Sequence, residues 1–160
     1  MKKKVLIVSS IILLIDQLSK IIISSLLGLR ESRVLIKGFF NLTYIRNKGA
    51  AWSIFANHRF LLVLIGIFAL YFVYTFIKDF KDNKRNILAF GFLIGGIFGN
   101  LIDRLFLGYV RDFLDFKIFG YDYPVFNIAD SAILIGVCLL IYAIIKGEEN
   151  GSSSSKKNKN

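Results

Sequence analysis

Long apolar stretches separated by shorter polar stretches dominate the pattern of the chain. Four apolar segments lie at about 5–27, 60–77, 87–106 and 126–145. Each is long enough to cross a hydrocarbon core of ~30 Å as an α-helix, at ~1.5 Å of rise per residue. The pattern therefore predicts an α-helical integral membrane protein with four transmembrane helices and with both termini on one side of the membrane.

The polar stretches between and after the apolar segments define two long loops and a C-terminal tail. We predict one membrane-embedded domain over residues 1–146, with two long loops at 28–59 and 107–125 on the same side of the membrane. Residues 147–160 include four consecutive serines and three lysines, a composition that favours disorder. We therefore expect this tail to be disordered and dispensable.

The first loop is too long to be a plain connector, so we expect it to contain structure. Residues 39–46 are rich in aromatic and β-branched side chains, which predicts a β-strand followed by a turn at 47–49. Residues 52–60 combine large apolar and polar side chains, which predicts a short amphipathic helix at the membrane interface. The loop is thus expected to hold β-structure and an interfacial helix.

Charge and composition narrow the class of protein. The formal net charge of +10 is attributed to basic segments at membrane surfaces, and no nucleic-acid partner is expected. The lysines at 2–4 and the basic turn at 78–85 favour a cytoplasmic location for both termini. Cys138 and His58 are single and far apart, so the chain offers no internal disulfide and no Cys/His metal cluster. We expect neither a metal nor a cofactor.

The second loop contains an unusual carboxylate. If residues 110–118 form a β-strand, the face that carries Asp112 is otherwise apolar, with Val110, Leu114, Phe116 and Ile118. Asp115 lies on the other face beside Arg111 and Lys117. This asymmetry makes Asp112 the candidate functional carboxylate. If the segment is helical, residues 112 and 115 share a face and the distinction fails.

Charges within or beside the predicted helices are further candidates, because a charge near the bilayer interior is costly. Asp16 and Lys20 are four residues apart on one helix face, which favours an ion pair with a structural role. Asp103 lies at the C-terminal end of the third helix, where the helix dipole disfavours a negative charge. We expect Lys20, Arg104 or Arg46 to compensate it.

Asn127 and Asp130 begin the fourth helix, and their spacing permits two interpretations. In the first, Asn127 is the N-cap and Asp130 belongs to the first turn, where the dipole favours it. In the second, Asp130 faces Asp112. Two carboxyl groups that share a site have different pKa values, so one stays ionised and the other stays protonated. Such a pair activates a water molecule and protonates a leaving amine. The spacing leaves both interpretations open.

Other functional classes compete with a pair of aspartates. A serine–lysine hydrolase would combine Ser24 or Ser19 with Lys20, although Asp16 is a ready partner for that lysine. A small transporter would use Asp16 and Lys20 as a relay, but it predicts polar residues through the bundle and often a repeat. A non-catalytic assembly protein would leave the position of Asp112 unexplained.

Five motifs, in order and at the characteristic spacing, resemble the family of bacterial lipoprotein signal peptidases, also called signal peptidase II. The motifs are DQLSK at 16–20, NKGAAWS at 47–53, GNLIDR at 99–104, VRDF at 110–113 and FNIAD at 126–130. The resemblance implies a four-helix bundle in the bacterial cytoplasmic membrane, with a small extracytoplasmic β-structure, an interfacial helix and an active site near the outer surface. It also implies an aspartic endopeptidase that removes the signal peptide of diacylglyceryl-modified prolipoproteins, just before the lipidated cysteine.

The resemblance also assigns roles to residues of this chain. It places the two catalytic aspartates of the family at Asp112 and Asp130. The positions around the site fall on Asn47, Gly49, Asn100, Asp103, Arg104, Asn127 and Ala129. Asp16 and Lys20 belong to the first-helix motif, which we still interpret as structural. The expected partners are prolipoprotein substrates and membrane lipids, and a monomer is favoured.

Overall fold

Four α-helices form most of the computed structural model, which describes residues 1–50 and 54–149. Their bounds are Lys2–Leu26 for α1, Arg59–Phe76 for α2, Lys84–Phe106 for α3 and Ile128–Ile145 for α4. A short 3-10 turn, Ile77–Asp79, follows α2. All four helices are long and apolar enough to cross a membrane. The predicted α-helical membrane protein with four spanning helices is confirmed.

A small antiparallel sheet adjoins the ends of α1 and α3. Its strands are β1 (Ser32–Ile36), β2 (Phe40–Asn47), β3 (Val110–Ile118) and β4 (Tyr121–Asp122), and they lie in this order. In the central pair Ile45 lies opposite Asp112, and the register shifts between Leu42 and Ile45. Both long loops therefore contribute two strands each. Residues 110–118 form a strand, which is the case in which Asp112 and Asp115 lie on different faces.

The third helix is the centre of the bundle, because most of its membrane segment is buried whereas the other three helices are mostly exposed. Small residues allow its neighbours to approach. A Cβ atom at Gly95 would lie 2.8 Å from the Ser9 carbonyl oxygen of α1, and one at Gly96 would lie 2.5 Å from the Ala129 carbonyl oxygen of α4. Larger residues at these positions would push α1 and α4 away from α3.

The end of the bundle away from the sheet gathers the two ends of the described chain. The amino group of Met1 pairs with Asp82 at 2.6 Å, and Glu148 pairs with Arg85 at 2.5 Å. Beside them, Phe80 belongs to an apolar cluster that also contains Val5, Ile77, Phe90 and Ala143. The sheet and these contacts thus lie at opposite ends of the helices.

Residues 147–149, the first part of the predicted tail, make defined contacts. Glu148 accepts a hydrogen bond from Asn83 at 2.9 Å in addition to its ion pair with Arg85, and Glu149 forms a β-bridge with Phe80. Residues 147–149 therefore contact the basic turn at 78–85, which the composition of the tail did not indicate. Residues 150–160 of the predicted tail lie outside the described residues.

The segment 52–60 differs from the predicted interfacial helix in its described part. Residues 54–57 form a turn, and α2 begins at Arg59. Phe55 and Asn57 have φ angles of 57° and 68°, which a right-handed helix does not accommodate. Residues 52 and 53 lie outside the described residues.

Candidate active site

A cavity of about 390 Å³ lies where the sheet meets the ends of α3 and α4. Its charged and amide-bearing lining residues are Asn47, Asn100, Arg104, Asp112 and Asp130. Apart from Tyr123, the remaining lining is apolar, with Ala50, Val110, Pro124, Val125, Phe126 and Ile133. Two carboxyl groups and one guanidinium group are thus held together in a mostly apolar enclosure.

Asp112 is fixed in the cavity by two amide groups. It lies on β3 and is 1% exposed, with Oδ2 accepting a hydrogen bond from Asn47 Nδ2 at 3.0 Å and Oδ1 accepting one from Asn127 Nδ2 at 2.6 Å. Burial and the negative charge of Asp130 raise the pKa of Asp112 to about 7, against the lowering effect of the two amides. A carboxyl group with this pKa exchanges its proton near neutral pH, as general acid–base catalysis requires.

Asp130 combines the two arrangements that its spacing permits. It is the third residue of a capping box in which Asn127 Oδ1 accepts from the Asp130 N–H at 3.0 Å and Asp130 Oδ2 accepts from the Asn127 N–H at 3.2 Å. Its other oxygen, Oδ1, accepts from Asn100 Nδ2 at 2.7 Å. Because Asp130 also lines the cavity of Asp112, the cap and the pair of carboxyl groups exist together.

Two asparagine side chains connect the carboxyl groups. Asn127 Nδ2 donates to Asp112 and to Asn100 Oδ1, the latter at 3.1 Å, and Asn100 Nδ2 donates to Asp130. Lys20 Nζ also donates to Asn100 Oδ1, at 3.0 Å. A lysine only donates, so this contact fixes which end of the Asn100 amide faces Asp130. The orientation of the site is thereby tied to a buried charge on α1.

A second layer of charges lies behind the cavity and does not line it. Lys20 Nζ is 2.8 Å from Asp16 Oδ2 and 3.7 Å from Asp103 Oδ2, and all three side chains are fully buried. Asp16 Oδ1 accepts from the backbone N–H of Ala129 at 2.9 Å, which attaches the start of α4 to α1. The expected pair of Asp16 and Lys20 is formed, and it positions the helix that carries Asp130.

Arg111 is the partner of Asp103 that sequence reasoning missed. Its Nη2 donates to Asp103 Oδ1 at 2.7 Å, its Nε to Oδ2 at 3.1 Å and its backbone N–H to Oδ2 at 3.0 Å. Gln17 completes the group, because it donates to Asp103 and accepts from Arg111. The sequence feature that could have indicated this pair is the short connection between α3 and β3, which brings residue 111 back beside residue 103.

Neither Arg104 nor Arg46, two of the three alternatives that we considered, forms an ion pair with Asp103 among the described residues. Arg104 lines the cavity, where its Nη2 donates to the Gly49 carbonyl at 3.0 Å, and Arg46 lies over the Tyr109 ring. Successive helix residues do not face each other, which already argued against Arg104. The buried Nε of Arg104 has no hydrogen-bond partner among the described residues.

The turn at 47–49 orients the Asn47 side chain, which donates a hydrogen bond to Asp112. The Gly49 N–H donates to Asn47 Oδ1 at 2.9 Å, which leaves Asn47 Nδ2 to face Asp112. Of the predicted site residues that do not line the cavity, Gly49, Asn127 and Lys20 form hydrogen bonds to lining residues. Asp16, Asp103 and Ala129 lie in the layer behind the cavity. Within residues 1–50 and 54–149, no group of three or more His, Cys, Asp or Glu side chains is placed to hold a metal ion.

The alternative serine–lysine arrangement is not formed. Ser24 Oγ donates to the Ile21 carbonyl at 3.2 Å, and Ser19 Oγ donates to the Asp16 carbonyl at 2.7 Å. Lys20 is engaged by carboxylates and by an asparagine. Neither serine is therefore activated by this lysine.

The fold and the cavity define a polytopic membrane protein with acid–base groups at one end of its helix bundle. A family model described as signal peptidase (SPase) II matches residues 8–146. The lipoprotein signal peptidases of Staphylococcus aureus strains JH9 and Newman are 41% identical over 155 residues, covering 95% of this chain and 94% of each relative. The chain therefore belongs to the signal peptidase II family and is a multi-pass bacterial membrane peptidase.

Solved structures agree with this assignment. A bacterial membrane enzyme determined by the in meso method at 2.3 Å has a TM-score of 0.84 and 39% identity, covering 98% of this chain and 93% of that chain. A second, determined at 1.9 Å, has a TM-score of 0.80 and 40% identity, covering 89% of this chain and 92% of that chain. The resemblance stated from the five motifs is confirmed, and the aspartic class is that of the family.

Proposed function

We propose that this peptidase removes the signal peptide of diacylglyceryl-modified prolipoproteins, that it cleaves just before the lipidated cysteine, and that Asp112 and Asp130 carry out the hydrolysis as a pair. The relatives at 41% identity are lipoprotein signal peptidases, which supports the substrate class. The observation that carries the mechanism is the single cavity lined by both carboxyl groups and connected through Asn100 and Asn127.

Peptide hydrolysis needs one group that takes a proton from water and another that gives a proton to the leaving amine. In the proposed reaction one carboxylate removes a proton from water, and the water oxygen attacks the carbonyl carbon that precedes the cysteine. The other carboxyl group then protonates the amine nitrogen as the carbon–nitrogen bond breaks. The pair holds one proton before and after the reaction, which suits an Asp112 with a pKa of about 7.

Arg104 is proposed to bind the substrate beside this pair. Its Nη2 is already used by Gly49, whereas its buried Nε has no partner among the described residues. A donor in this position suits the carbonyl oxygen on which negative charge develops during attack. The apolar lining of the cavity strengthens such a contact because it excludes competing water.

The surroundings of the cavity suit a substrate that stays in the bilayer. Each buried methylene of an acyl chain holds a lipidated protein in the membrane by about 0.8 kcal/mol, so the enzyme must act at the membrane. Two apolar grooves border the cavity. One, of about 590 Å³, reaches Asp130 between the sheet and α4, and the other, of about 510 Å³, reaches Asn100 and Arg104 between α2, α3 and α4.

The proposed orientation places both termini in the cytoplasm and the cavity near the outer membrane surface. The lysines at 2–4 and the basic turn at 78–85 support it, because cytoplasmic segments are enriched in such residues. These basic segments lie at the end of the bundle opposite to the sheet. A single orientation therefore accounts for the basic segments at one end of the bundle and for a cavity on the side of the membrane to which substrates are exported.

Cleavage of a defined lipopeptide by purified protein tests the proposal. The substrate is a synthetic prolipopeptide with a diacylglyceryl cysteine, its control is the same peptide without lipid, and mass spectrometry identifies the bond that is cut. We expect Asp112→Asn to remove nearly all turnover, and Asp115→Asn to keep most of it because Asp115 contacts Thr43 and Asn41 on the sheet. Equal losses in two folded variants, or cleavage at another bond, would contradict the proposal.

A further inference from the structure

A basic cleft borders the cavity on the side of the sheet. It has a volume of about 560 Å³ and shares Asn47, Pro124 and Val125 with the lining of the cavity. All of its lining residues lie in β2 or in loops, and none lies in a membrane-spanning helix. The cleft therefore adjoins the cavity but lies outside the helix bundle, whereas the two apolar grooves run along the helices.

Three cations give the basic cleft its character. Arg30, Arg46 and Lys48 line it and all three are exposed, and the described residues of its lining include no carboxylate. Arg46 is held in place because its Nε donates to the Tyr44 hydroxyl at 3.3 Å and its guanidinium group lies 4.9 Å from the centre of the Tyr109 ring.

These cations differ from three other cations near the site and on the sheet. Lys20 and Arg111 are paired with carboxylates, and Lys117 pairs with Asp122 on the sheet. Among the ion pairs of the described residues, none involves Arg30, Arg46 or Lys48. Unpaired cations concentrated in a cleft attract anionic groups and disfavour cationic ones.

The path of a cleaved substrate connects the position of the cleft with its unpaired cations. A substrate cut in the cavity leaves it in two directions, because the signal peptide is apolar and stays with the grooves along the helices. The segment after the cysteine must pass into water, and the basic cleft is the polar opening that adjoins the cavity. We propose that the basic cleft binds the substrate segment that follows the lipidated cysteine and prefers acidic side chains there. This inference rests on the proposed function.

The test compares three diacylglyceryl prolipopeptides that are identical through the cysteine. The second to fourth residues after the cysteine are Glu in the first, Ser in the second and Lys in the third. For the unmodified enzyme in neutral detergent at low salt, we expect kcat/KM to be about fivefold or more higher for the Glu peptide than for the Lys peptide, mainly through KM. The difference should shrink as salt is raised, because exposed charges are screened.

Charge reversal at the cleft provides the decisive comparison. Lys48→Glu and Arg30→Glu should each reduce the preference, and together they should reverse it in favour of the Lys peptide. Lys37→Glu is the matched control, because Lys37 is an exposed cation in the turn between β1 and β2 and does not line the cleft. It changes the net charge equally and should leave the preference and the rate unchanged. Thermal unfolding of each variant verifies that it is folded.

Three outcomes would overturn the inference. The first is an unmodified enzyme with no preference, and the second is an equal change of preference in Lys37→Glu and in the cleft variants. The third concerns vesicles with and without phosphatidylglycerol. If charge reversal changes kcat/KM for all three peptides by the same factor, and only when the anionic lipid is present, the cleft binds lipid headgroups. Failure of the proposed function is distinct, since it would abolish cleavage of all three peptides by the unmodified enzyme.

Discussion

The pH dependence of stability tests the unusual environment of Asp112. The pKa of this carboxyl group lies at about 7 in the folded protein, against an ordinary value of 3.8. Between these two values the folded protein holds a proton that the unfolded chain has lost. The free energy of unfolding therefore contains a contribution that is complete below pH 4 and is lost as the pH rises towards 7 and above.

The magnitude follows from the shift. A difference of roughly three pKa units corresponds to at most about 4 kcal/mol, since one unit is ~1.4 kcal/mol. Asp112→Asn removes the titrating group and hence this contribution. The new amide leaves Asn47 or Asn127 without one acceptor, but this cost of about 1 kcal/mol is the same at every pH. The stability difference between the variant and the unmodified protein should therefore shift in favour of the variant as the pH rises.

The assay is thermal unfolding in a neutral detergent at intervals between pH 4 and pH 8. For a chain of this size, ~1 kcal/mol moves Tm by about 2–4 °C, so we expect the Tm difference to change by at most about 8–16 °C over this range. Asp115→Asn serves as the control, because Asp115 lies outside the cavity, and it should follow the profile of the unmodified protein. Identical pH profiles for Asp112→Asn and the unmodified protein would refute the reasoning.

Three further predictions concern the scaffold. Lys20→Met leaves the buried carboxylate of Asp16 without its ion-pair partner, whereas Asp103 keeps Arg111, and it should cost about 3–5 kcal/mol, visible as a lower Tm. Adding Asp16→Asn should restore part of this stability, and an unchanged Tm for Lys20→Met would contradict the charge layer. A chain that ends after Glu149 should keep the full Tm. A chain that ends after Lys146 loses the Glu148 contacts and should be less stable by about 1 kcal/mol. Equal Tm values for the two chains would show that these contacts do not contribute to stability. A reporter that is active only outside the cell should stay silent when it is fused after residue 160, and strong activity would reverse the proposed orientation.

Local rules were sufficient for the helices and, once residues 110–118 are taken as a strand, for the different environments of the two aspartates of β3. Bilayer thickness fixes the length of a spanning helix, so four apolar segments predicted four helices. The two-residue period of a strand placed Asp112 on the apolar face and Asp115 on the other, and the structure buries Asp112 while Asp115 contacts Thr43 and Asn41. Both inferences depend on residues that are close in sequence.

Contacts between distant segments were beyond these rules. The hydrogen bonds of Asn127 to Asp112 and to Asn100 join β3, α3 and α4, and no spacing predicts which asparagine bridges which carboxylate. Glu148 reaches Arg85 across 63 positions, which composition cannot indicate. The turn at 54–57 likewise depends on backbone angles that an amphipathic pattern does not encode.

The central claim is that Asp112 and Asp130 form one catalytic unit, and turnover of a lipidated prolipopeptide by Asp130→Asn tests it most directly. An asparagine at this position can still accept the Asn127 N–H, so the helix cap is kept while the acid–base group is removed. We predict that Asp112→Asn, Asp130→Asn and the double variant all lose nearly all turnover and that the double variant loses little more than either single one. A folded Asp130→Asn enzyme that retains more than about a tenth of the turnover, equivalent to ~1.4 kcal/mol of barrier, would show that Asp130 is only a cap and would contradict the account.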